Sequence, residues 1–221
     1  MAETLLPKIK NNYNAKDIEV LEGLEPVRLR PGMYIGGVDK KAMHHLVVEI
    51  LDNSMDEVIS NFASKIEVAL INEKTIIITD NGRGIPIDPH PKFPKKSALE
   101  IIMTTLHSGG KFNDNSYTTS GGLHGVGASV VNALSIFFQV EVIKDGNVYN
   151  QTYAKGVPTK KLAKIDKAKK KQGTSITFSP DPDIFGINSQ FSAEYLYKII
   201  QNKAYLSPGV KIFWKCKDLI I

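Results

Sequence analysis

Apolar side chains between residues 41 and 60 recur at the three- and four-residue spacing of one helix face, so the sequence predicts a helix there. These apolar positions are Leu46, Val47, Ile50, Leu51, Met55 and Val58. The same kind of pattern predicts helices over 97–107 and 191–205, and another that follows Gly125 and ends near Ser135. Ser97 and Glu100 have the capping-box spacing, so we expect them to start the helix over 97–107.

Alternation of apolar and polar residues predicts strands elsewhere in the chain. The predicted strands are 66–71, 75–79, 137–144, 147–154, 174–179 and 210–215. Asp145-Gly146 predicts a hairpin turn, whereas 85–96, with four prolines, and 108–122 are predicted to be loops. Because hairpins and helices are interspersed, we expect an α+β sandwich with helices on one face of a mixed, mainly antiparallel sheet.

The composition is that of an ordinary globular protein, with 42% apolar and 23% charged residues among 221. The apolar runs are too short for a membrane span, and residues 1–12 lack the apolar segment of a secretory signal, so we expect a flexible N-terminal arm. The single cysteine, Cys216, cannot form an internal disulfide, which fits a reducing compartment. Because the chain ends soon after a predicted strand, we expect a fragment of a longer protein.

The formal net charge of +5 is unevenly distributed, since seven lysines lie within Lys160–Lys171. Such a run is compatible with nucleic-acid binding. No aromatic residues alternate with the lysines as a stacking surface requires. We therefore favour a solvated loop or hairpin tip and leave direct DNA contact as the alternative.

Residues 121–127 read Gly-Gly-Leu-His-Gly-Val-Gly and lead directly into a predicted helix. Glycine lets the backbone approach a ligand closely, and a helix start offers free N–H groups, so this segment suits a phosphate. The loop from Gly109 to Gly127 suits a lid, in which Lys111 and Tyr117 reach the phosphate. A mobile connector explains the loop equally well, and the segment matches neither a Walker A sequence nor a Rossmann fingerprint.

The predicted helix over 41–60 carries an acidic stripe. Glu49, Asn53 and Glu57 follow one another at four-residue intervals, Asp52 and Asp56 flank them, and we expect nothing to neutralise this face. Glu49 is suited to take a proton from an attacking water, and the Asn53 amide oxygen is a hard ligand for Mg²⁺. The alternative is a solvated amphipathic helix. A magnesium nucleotide satisfies both the acidic stripe and the glycine segment.

The segment Asp80-Asn-Gly-Arg-Gly84 ends a predicted strand. The Asp80 carboxylate suits the exocyclic amine of adenine, and Gly84 leaves room for a flat ring, although a common type I turn has the same sequence pattern. Thr174 either relays a hydrogen bond to Asp80 or simply favours a strand. One cysteine and scattered histidines do not form a zinc site, and no nucleophile triad is indicated.

These four segments occur in the order typical of the GHKL ATPase superfamily. Longer segments resemble the N-terminal ATPase domain of bacterial type IIA topoisomerases: 22–36, 44–45, 49–57, 106–112 and 120–135. The resemblance runs from Tyr13 to Trp214 and implies a Bergerat-fold ATPase domain over 13–221. Residues 13–21, 23–28 and Ser207-Pro-Gly209 resemble the topoisomerase IV branch rather more than the gyrase branch.

The resemblance implies a role for each matching residue. Glu49 matches the general base, His45 its partner, Asn53 the Mg²⁺ ligand, and Asp80 the adenine anchor that Thr174 and a water assist. The resemblance implies further nucleotide contacts in four places. The pocket residues are Glu57, Arg83, Gly84, Ile85, Pro86 and Ile102, and the lid residues are Lys111 and Tyr117. The phosphate cradle is formed by Gly122, Leu123, His124, Gly125, Val126 and Gly127, and Tyr13 lies on the arm that reaches the partner subunit's nucleotide.

The resemblance also implies partners. These are ATP and Mg²⁺, DNA, the cleavage subunit of the topoisomerase IV branch in a heterotetramer, and a second copy that dimerises through the arm when ATP binds. Aminocoumarin-type inhibitors are implied as well, although Lys144 replaces the family's usual arginine at the pocket mouth. The implied location is the cytoplasm, at the nucleoid, without membrane contact.

In the family, two such ATPase domains form a clamp around DNA. ATP drives the closure of this clamp, which is coupled to DNA strand passage and decatenation. Three alternatives stand beside this function. One is the ATPase domain of gyrase B. The second is another GHKL protein: a chaperone, a mismatch-repair ATPase or a histidine kinase. Glu49 argues against the kinase, which needs no residue to activate water, and the match over 22–36 argues against the other two. The third is a binding module with low turnover, because the lysine that a second domain supplies to the γ-phosphate is missing.

Overall fold

The computed structural model describes residues 14–18, 20–109, 126–168 and 172–216. Its helices are α1 Glu25–Leu29, α2 Gly32–Ile35, α3 Lys40–Ile59, α4 Ala98–Thr104, α5 Gly127–Ala133, α6 Pro182–Phe185 and α7 Ala193–Tyr205, with a 3-10 turn at Ala15–Asp17. Its strands are β1 Lys65–Asn72, β2 Thr75–Asp80, β3 Pro89–His90, β4 Phe93–Ser97, β5 Ser135–Lys144, β6 Asn147–Ala154, β7 Val157–Pro158, β8 Ala163–Lys167, β9 Gln172–Pro180 and β10 Lys211–Cys216. The predicted arm over 1–12 lies outside these residues.

Eight of the strands in the described ranges form one sheet in the order β10-β1-β2-β9-β5-β6-β7, with β8 also paired to β6. Only β10 and β1 run parallel, and every other pair in this sheet is antiparallel. Strands β3 and β4 form a separate hairpin. The predicted fold class, helices with a mixed and mainly antiparallel sheet, is therefore confirmed.

The sheet buries one face against the helices because its apolar residues alternate along each strand. In β2 every second residue is buried, and the same alternation marks β1 and part of β5. Helix α3 lies against this face and contributes Leu46, Val47, Ile50 and Leu51 to the core. None of the helices in the described ranges has the length and apolar content to cross a lipid bilayer.

The predicted helix over 41–60 is confirmed as α3, which starts one residue earlier. Its N-cap is Asp39, whose carboxylate accepts a hydrogen bond from the Ala42 N–H at 2.8 Å. The predicted hairpin turn is also confirmed, since Asp145 and Gly146 both have positive φ, as a tight hairpin turn requires. Strands β5 and β6 flank this turn.

Three predictions about local structure were wrong. Residues 85–96 hold the hairpin of β3 and β4 and are not only a loop. Part of the lysine-rich segment forms strand β8. Helix α4 ends at Thr104 and is shorter than the helix predicted over 97–107. The Ser97 hydroxyl caps it by accepting a hydrogen bond from the Glu100 N–H at 3.0 Å. The Glu100 carboxylate contacts Gln151 and Lys96, so the second half of the predicted capping box is replaced by these contacts.

Candidate functional site

A cleft of about 320 Å³ opens between α3, the end of β2 and the start of α5. It brings together predicted site residues from five separate parts of the chain. They are Asn53, Glu57, Asp80, Arg83, Gly84, Ile85, Pro86, Ile102, Gly127 and Thr174. The volume lies within the usual range for small-molecule sites. The acidic helix and the turn after β2 therefore form one site.

Asp80 lies at the floor of this cleft and is almost completely buried. Its Oδ2 accepts a hydrogen bond from the Ser54 hydroxyl at 3.0 Å, and its Oδ1 accepts one from the Gly82 N–H at 2.9 Å. Burial raises the pKa of the carboxyl to about 6, although these hydrogen bonds and one from the Thr174 backbone act in the opposite direction. At neutral pH the carboxylate is ionised and favours a further donor.

The hydrogen bond from the Gly82 N–H to the Asp80 carboxylate is the kind of contact that an aspartate makes at the start of a turn, which was the alternative to ligand binding for this segment. The carboxylate nevertheless faces the cleft, and Thr174 is its partner across the β2–β9 pair. Turn formation and ligand binding are therefore compatible roles for this one side chain.

Glu57 and Arg83 form a clamp between α3 and the turn that follows β2. The Arg83 Nη2 and Nε donate to the two Glu57 carboxylate oxygens at 2.7 and 3.1 Å, and the Arg83 backbone N–H donates at 3.0 Å. The guanidinium also stacks on the Phe62 ring, 3.8 Å from its centroid. This bidentate geometry fixes the wall of the cleft.

Gly84 lies where strands β5 and β9 approach the turn. Its φ is +77°, and a Cβ at this position would lie 3.1 Å from the Val142 Cγ1 and 3.2 Å from the Ile143 carbonyl oxygen. The backbone conformation and the neighbouring sheet therefore both require glycine here. The expected clearance for a flat ring stays a prediction.

His45, Glu49 and Gly127 form a second group beside the cleft. The His45 Nε2 lies 3.1 Å from the Glu49 Oε1, and this hydrogen bond is the main cause that raises the pKa of His45. A Cβ on Gly127 would overlap the Glu49 Oε2. A side chain at this position would therefore displace the Glu49 carboxylate, against which α5 begins directly after Val126.

The expectation that nothing neutralises the acidic face was wrong. Arg83 pairs with Glu57, and the Lys203 Nζ lies 2.5 Å from the Asp52 Oδ1. His45 is hydrogen-bonded to Glu49. Arg83 and Lys203 come from the turn after β2 and from α7, so the charge pattern of α3 alone did not reveal them; His45 lies on α3 and was implied by the resemblance.

Several predicted site residues lie outside the described residues. They are Tyr13, Lys111, Tyr117, Gly122, Leu123, His124 and Gly125. Their roles in the arm, the lid and the phosphate cradle stay predictions. Lys144 lies at the end of β5, where its Nζ pairs with the Asp88 Oδ2 at 3.0 Å.

Sequence analysis missed cleft residues that the structure reveals. Ser54 bonds the Asp80 carboxylate, and Ile50, Ile78, Met103 and Ile176 supply apolar walls. Two signals were available: Ser54 follows Ile50 by four residues on the buried side of α3, and Ile78 shares a strand face with Asp80. Alternation and helical period thus point to these residues once Asp80 is recognised.

Comparisons with known proteins agree with this geometry. The family of histidine kinase-, DNA gyrase B-, and HSP90-like ATPases matches residues 38–184. The B subunit of DNA topoisomerase 4 from Rickettsia bellii is 59% identical over 209 residues, which make up 95% of this chain and 32% of that protein. The corresponding protein of Caulobacter vibrioides is 56% identical over 204 residues. The chain spans about a third of the length of these curated relatives.

A solved structure has a similar fold. It is the 43K ATPase domain of Thermus thermophilus gyrase B in complex with an aminocoumarin, with a TM-score of 0.77 and 41% identity. The match covers 88% of this chain and 48% of that chain.

Proposed function

This chain belongs to the histidine kinase-, DNA gyrase B- and HSP90-like ATPase family, and we propose that it is the ATP-binding and hydrolysing part of a longer protein, the B subunit of a DNA topoisomerase 4. The resemblance to type IIA topoisomerases is confirmed by relatives that match 95% of the chain. The observation that carries the proposal is the cleft itself. Asp80 is hydrogen-bonded to Ser54 on α3, whereas Gly127 lies against Glu49, five residues or about 7.5 Å earlier along the helix.

The Asp80 end of the cleft is suited to adenine. The buried carboxylate accepts from the exocyclic amine, and Thr174 lies opposite it. Ile85, Pro86 and Ile102 offer apolar surfaces to the ring. Gly84 and the Arg83–Glu57 clamp hold the adjoining turn in place.

The opposite end of the cleft is suited to phosphates and a magnesium ion. Asn53 lines the cleft and offers a hard amide oxygen, the donor type that Mg²⁺ prefers. When bound, the ion would help to spread the charge that develops on the γ-phosphate. Glu49 orients and deprotonates water, and His45 holds the Glu49 carboxylate. Lys111, Tyr117 and residues 122–127 complete the proposed nucleotide contacts.

The partners of the whole protein are proposed from the family resemblance, and the names of the relatives support DNA among them. We propose that ATP closes a dimer through the N-terminal arm, with Tyr13 on the partner's nucleotide. Closure traps DNA and drives strand passage and decatenation together with the cleavage subunit of topoisomerase IV, in the cytoplasm at the nucleoid. The ATPase domain is proposed over 13–221.

Gyrase B is the second candidate, because its ATPase domain is 41% identical to this chain. The 59% identity to the B subunit of a DNA topoisomerase 4 favours the first. The aminocoumarin bound to that gyrase relative supports inhibitor binding at this cleft. The ion pair between Lys144 and Asp88 changes the contacts expected at its mouth.

Calorimetric titration with a non-hydrolysable ATP analogue and Mg²⁺ tests the proposal. We expect binding in the micromolar range or weaker, and little hydrolysis by this chain alone. The matched control is the GTP analogue, which presents a carbonyl oxygen where adenine carries its amine and therefore faces the Asp80 carboxylate unfavourably. Absence of ATP-analogue binding, or equal affinity for both analogues, would overturn the proposal.

A further inference from the structure

The excess positive charge of this chain is concentrated in one short segment. Residues 160–171 hold seven lysines and one aspartate, out of 28 basic and 23 acidic side chains in the whole chain. The remaining residues therefore carry 21 basic and 22 acidic side chains and are close to neutral. The net positive charge of the chain therefore comes from this one segment.

Four of these lysines lie on or beside an edge of the sheet. Lys160 and Lys161 precede β8, and Lys164 and Lys167 lie within it; all four are exposed. Among the described residues β8 pairs only with β6, so its outer edge faces solvent. We call these four residues the lysine edge.

The lysine edge lacks the ion pairs that other lysines form. Within the described ranges, no carboxylate lies within ion-pair distance of its four amino groups. By contrast, carboxylates pair with lysines on other surfaces: Lys96, Lys144, Lys155, Lys198 and Lys203. Lysines elsewhere, such as Lys92 and Lys95, also form no ion pair among the described residues; the lysine edge differs because it holds four lysines and one aspartate, Asp166, within eight residues, which leaves a net charge for an external anion.

Edge protection is the competing explanation, because charged side chains on an outer strand discourage pairing with another chain. Only Lys164 and Lys167 lie within β8 itself, whereas Lys160 and Lys161 precede it and the sequence continues with Lys169, Lys170 and Lys171, so the lysines extend beyond the strand whose edge they would protect. The strand's five residues extend over about 17 Å, comparable with about five base pairs of duplex DNA. No aromatic side chain lies between the lysines, which fits phosphate contacts and not base stacking.

We propose that the lysine edge contacts the phosphate backbone of duplex DNA independently of base sequence. The inference rests on the proposed function, because the relatives are named DNA topoisomerases and duplex DNA is therefore the polyanion expected for this chain. It adds a DNA-contacting surface on the outer edge of the sheet, away from the nucleotide cleft, since none of the four lysines lines that cleft.

The test compares two variants with equal charge loss. One replaces the lysine edge: K160Q, K161Q, K164Q and K167Q together. The matched control replaces four exposed lysines on other surfaces: K16Q, K92Q, K95Q and K211Q. Fluorescence anisotropy with a labelled duplex over a salt series gives the affinity and the slope of its logarithm against that of the salt concentration. Thermal denaturation establishes that both variants are folded.

We expect the edge variant to lower the magnitude of this slope by up to about 3.6, since each of the four lost phosphate contacts lowers it by about 0.9. Its affinity at low salt should fall about tenfold or more, whereas the control variant should lose about twofold or less. Equal losses in both variants would overturn the proposal, as would the absence of DNA binding by the unmodified chain. Loss of binding to phosphatidylserine vesicles without loss of binding to DNA would also overturn it, in favour of a membrane partner.

Titration of the same samples with the ATP analogue separates this inference from the proposed function. Both variants should bind the analogue as the unmodified chain does, because the replaced residues lie outside the cleft. If the unmodified chain binds DNA through the lysine edge but binds no nucleotide, the proposed function fails and the DNA-contacting surface stands.

Discussion

At the scale of single residues, the cleft depends on the protonation state of Asp80. Its pKa is raised to about 6 by burial, and an amine donor favours the ionised form. We expect the affinity for the ATP analogue to be nearly constant above about pH 7 and to fall below pH 6, by up to about tenfold per pH unit. Calorimetric titrations between about pH 5 and pH 8 measure this dependence.

The Asp80→Asn variant is the control for this pH dependence. It should bind weakly throughout, because the amide cannot replace the carboxylate as a charged acceptor. The part of the pH dependence that comes from Asp80 should be missing in the variant. Identical pH profiles for the variant and the unmodified chain would show that Asp80 does not anchor the ligand.

A second prediction at this scale separates hydrolysis from binding. Glu49→Ala removes the proposed general base, so we expect hydrolysis by the full-length protein to fall by a factor of about 10² to 10⁴ while the ATP analogue still binds. A steady-state ATPase assay and calorimetry measure the two properties. Asp80→Asn should instead weaken binding itself. Equal effects of the two substitutions on affinity would contradict this division of roles.

At the scale of elements, the start of α5 depends on the absence of a side chain at Gly127. The Cβ of Gly127→Ala would overlap the Glu49 Oε2. Because this oxygen ends a flexible side chain, Glu49 can rotate away, and we expect little loss of thermal stability. The displaced carboxylate leaves His45, so hydrolysis by the full-length protein should fall about tenfold or more.

Gly37→Ala is the matched control, because a Cβ at Gly37 has no atom closer than 3.9 Å and Gly37 does not line the cleft. It should leave both the melting temperature and the ATPase rate close to those of the unmodified protein. If Gly127→Ala hydrolysed ATP as fast as Gly37→Ala, the contact between α5 and Glu49 would have no part in catalysis.

The same scale shows which elements the sequence predicts and why. Helix α3 and the β5–β6 hairpin were predictable because apolar period and the Asp145-Gly146 turn are local signals. The β3–β4 hairpin was not, because its strands are short and contain proline, which cannot donate in a ladder. Strand β8 was missed because its many lysines are typical of a solvated loop, and because its side chains are exposed it lacks the apolar alternation that predicts a strand. Its pairing with β6 is seen only in the structure.

At the scale of the whole molecule, contacts between residues far apart in the chain could not be predicted from the sequence. The pairing of β10 with β1, its parallel direction and the contact of Lys203 with Asp52 join residues far apart in the chain. Such pairings depend on tertiary packing and leave no periodic signal. Asn53, Asp80 and Arg83 were predictable because each has its own chemistry, whereas the apolar walls of the cleft and the pairing of Arg83 with Glu57 were not.

His44 links helix α3 to the start of helix α7, two elements that are far apart in the chain. It is buried on α3, its Nδ1 contacts the Lys40 carbonyl oxygen, and its Nε2 accepts a hydrogen bond from the Ser192 N–H at 2.8 Å, beside the start of α7. Since Nε2 accepts, the ring is neutral, with its proton on Nδ1. Phe191 and Tyr195 pack against it edge-on.

Burial lowers the pKa of His44 below its ordinary value of 6.5, which makes the stability of the whole fold depend on pH. Between the lowered pKa and 6.5 the unfolded chain binds a proton that the folded chain excludes. The His44 contribution to the free energy of unfolding is therefore complete above 6.5 and is lost as pH falls. Its slope is at most about 1.4 kcal/mol per pH unit.

Two other groups act in the opposite direction, so variants must isolate His44. The raised pKa values of His45 and Asp80 both favour the folded state at lower pH. Urea denaturation of the unmodified chain and of His44→Gln, between about pH 5 and pH 8, gives the difference. We expect the variant to be less stable at pH 8 and to lose less stability on acidification. Parallel curves would show that His44 keeps the same protonation in both states and that the link between α3 and α7 is insensitive to pH.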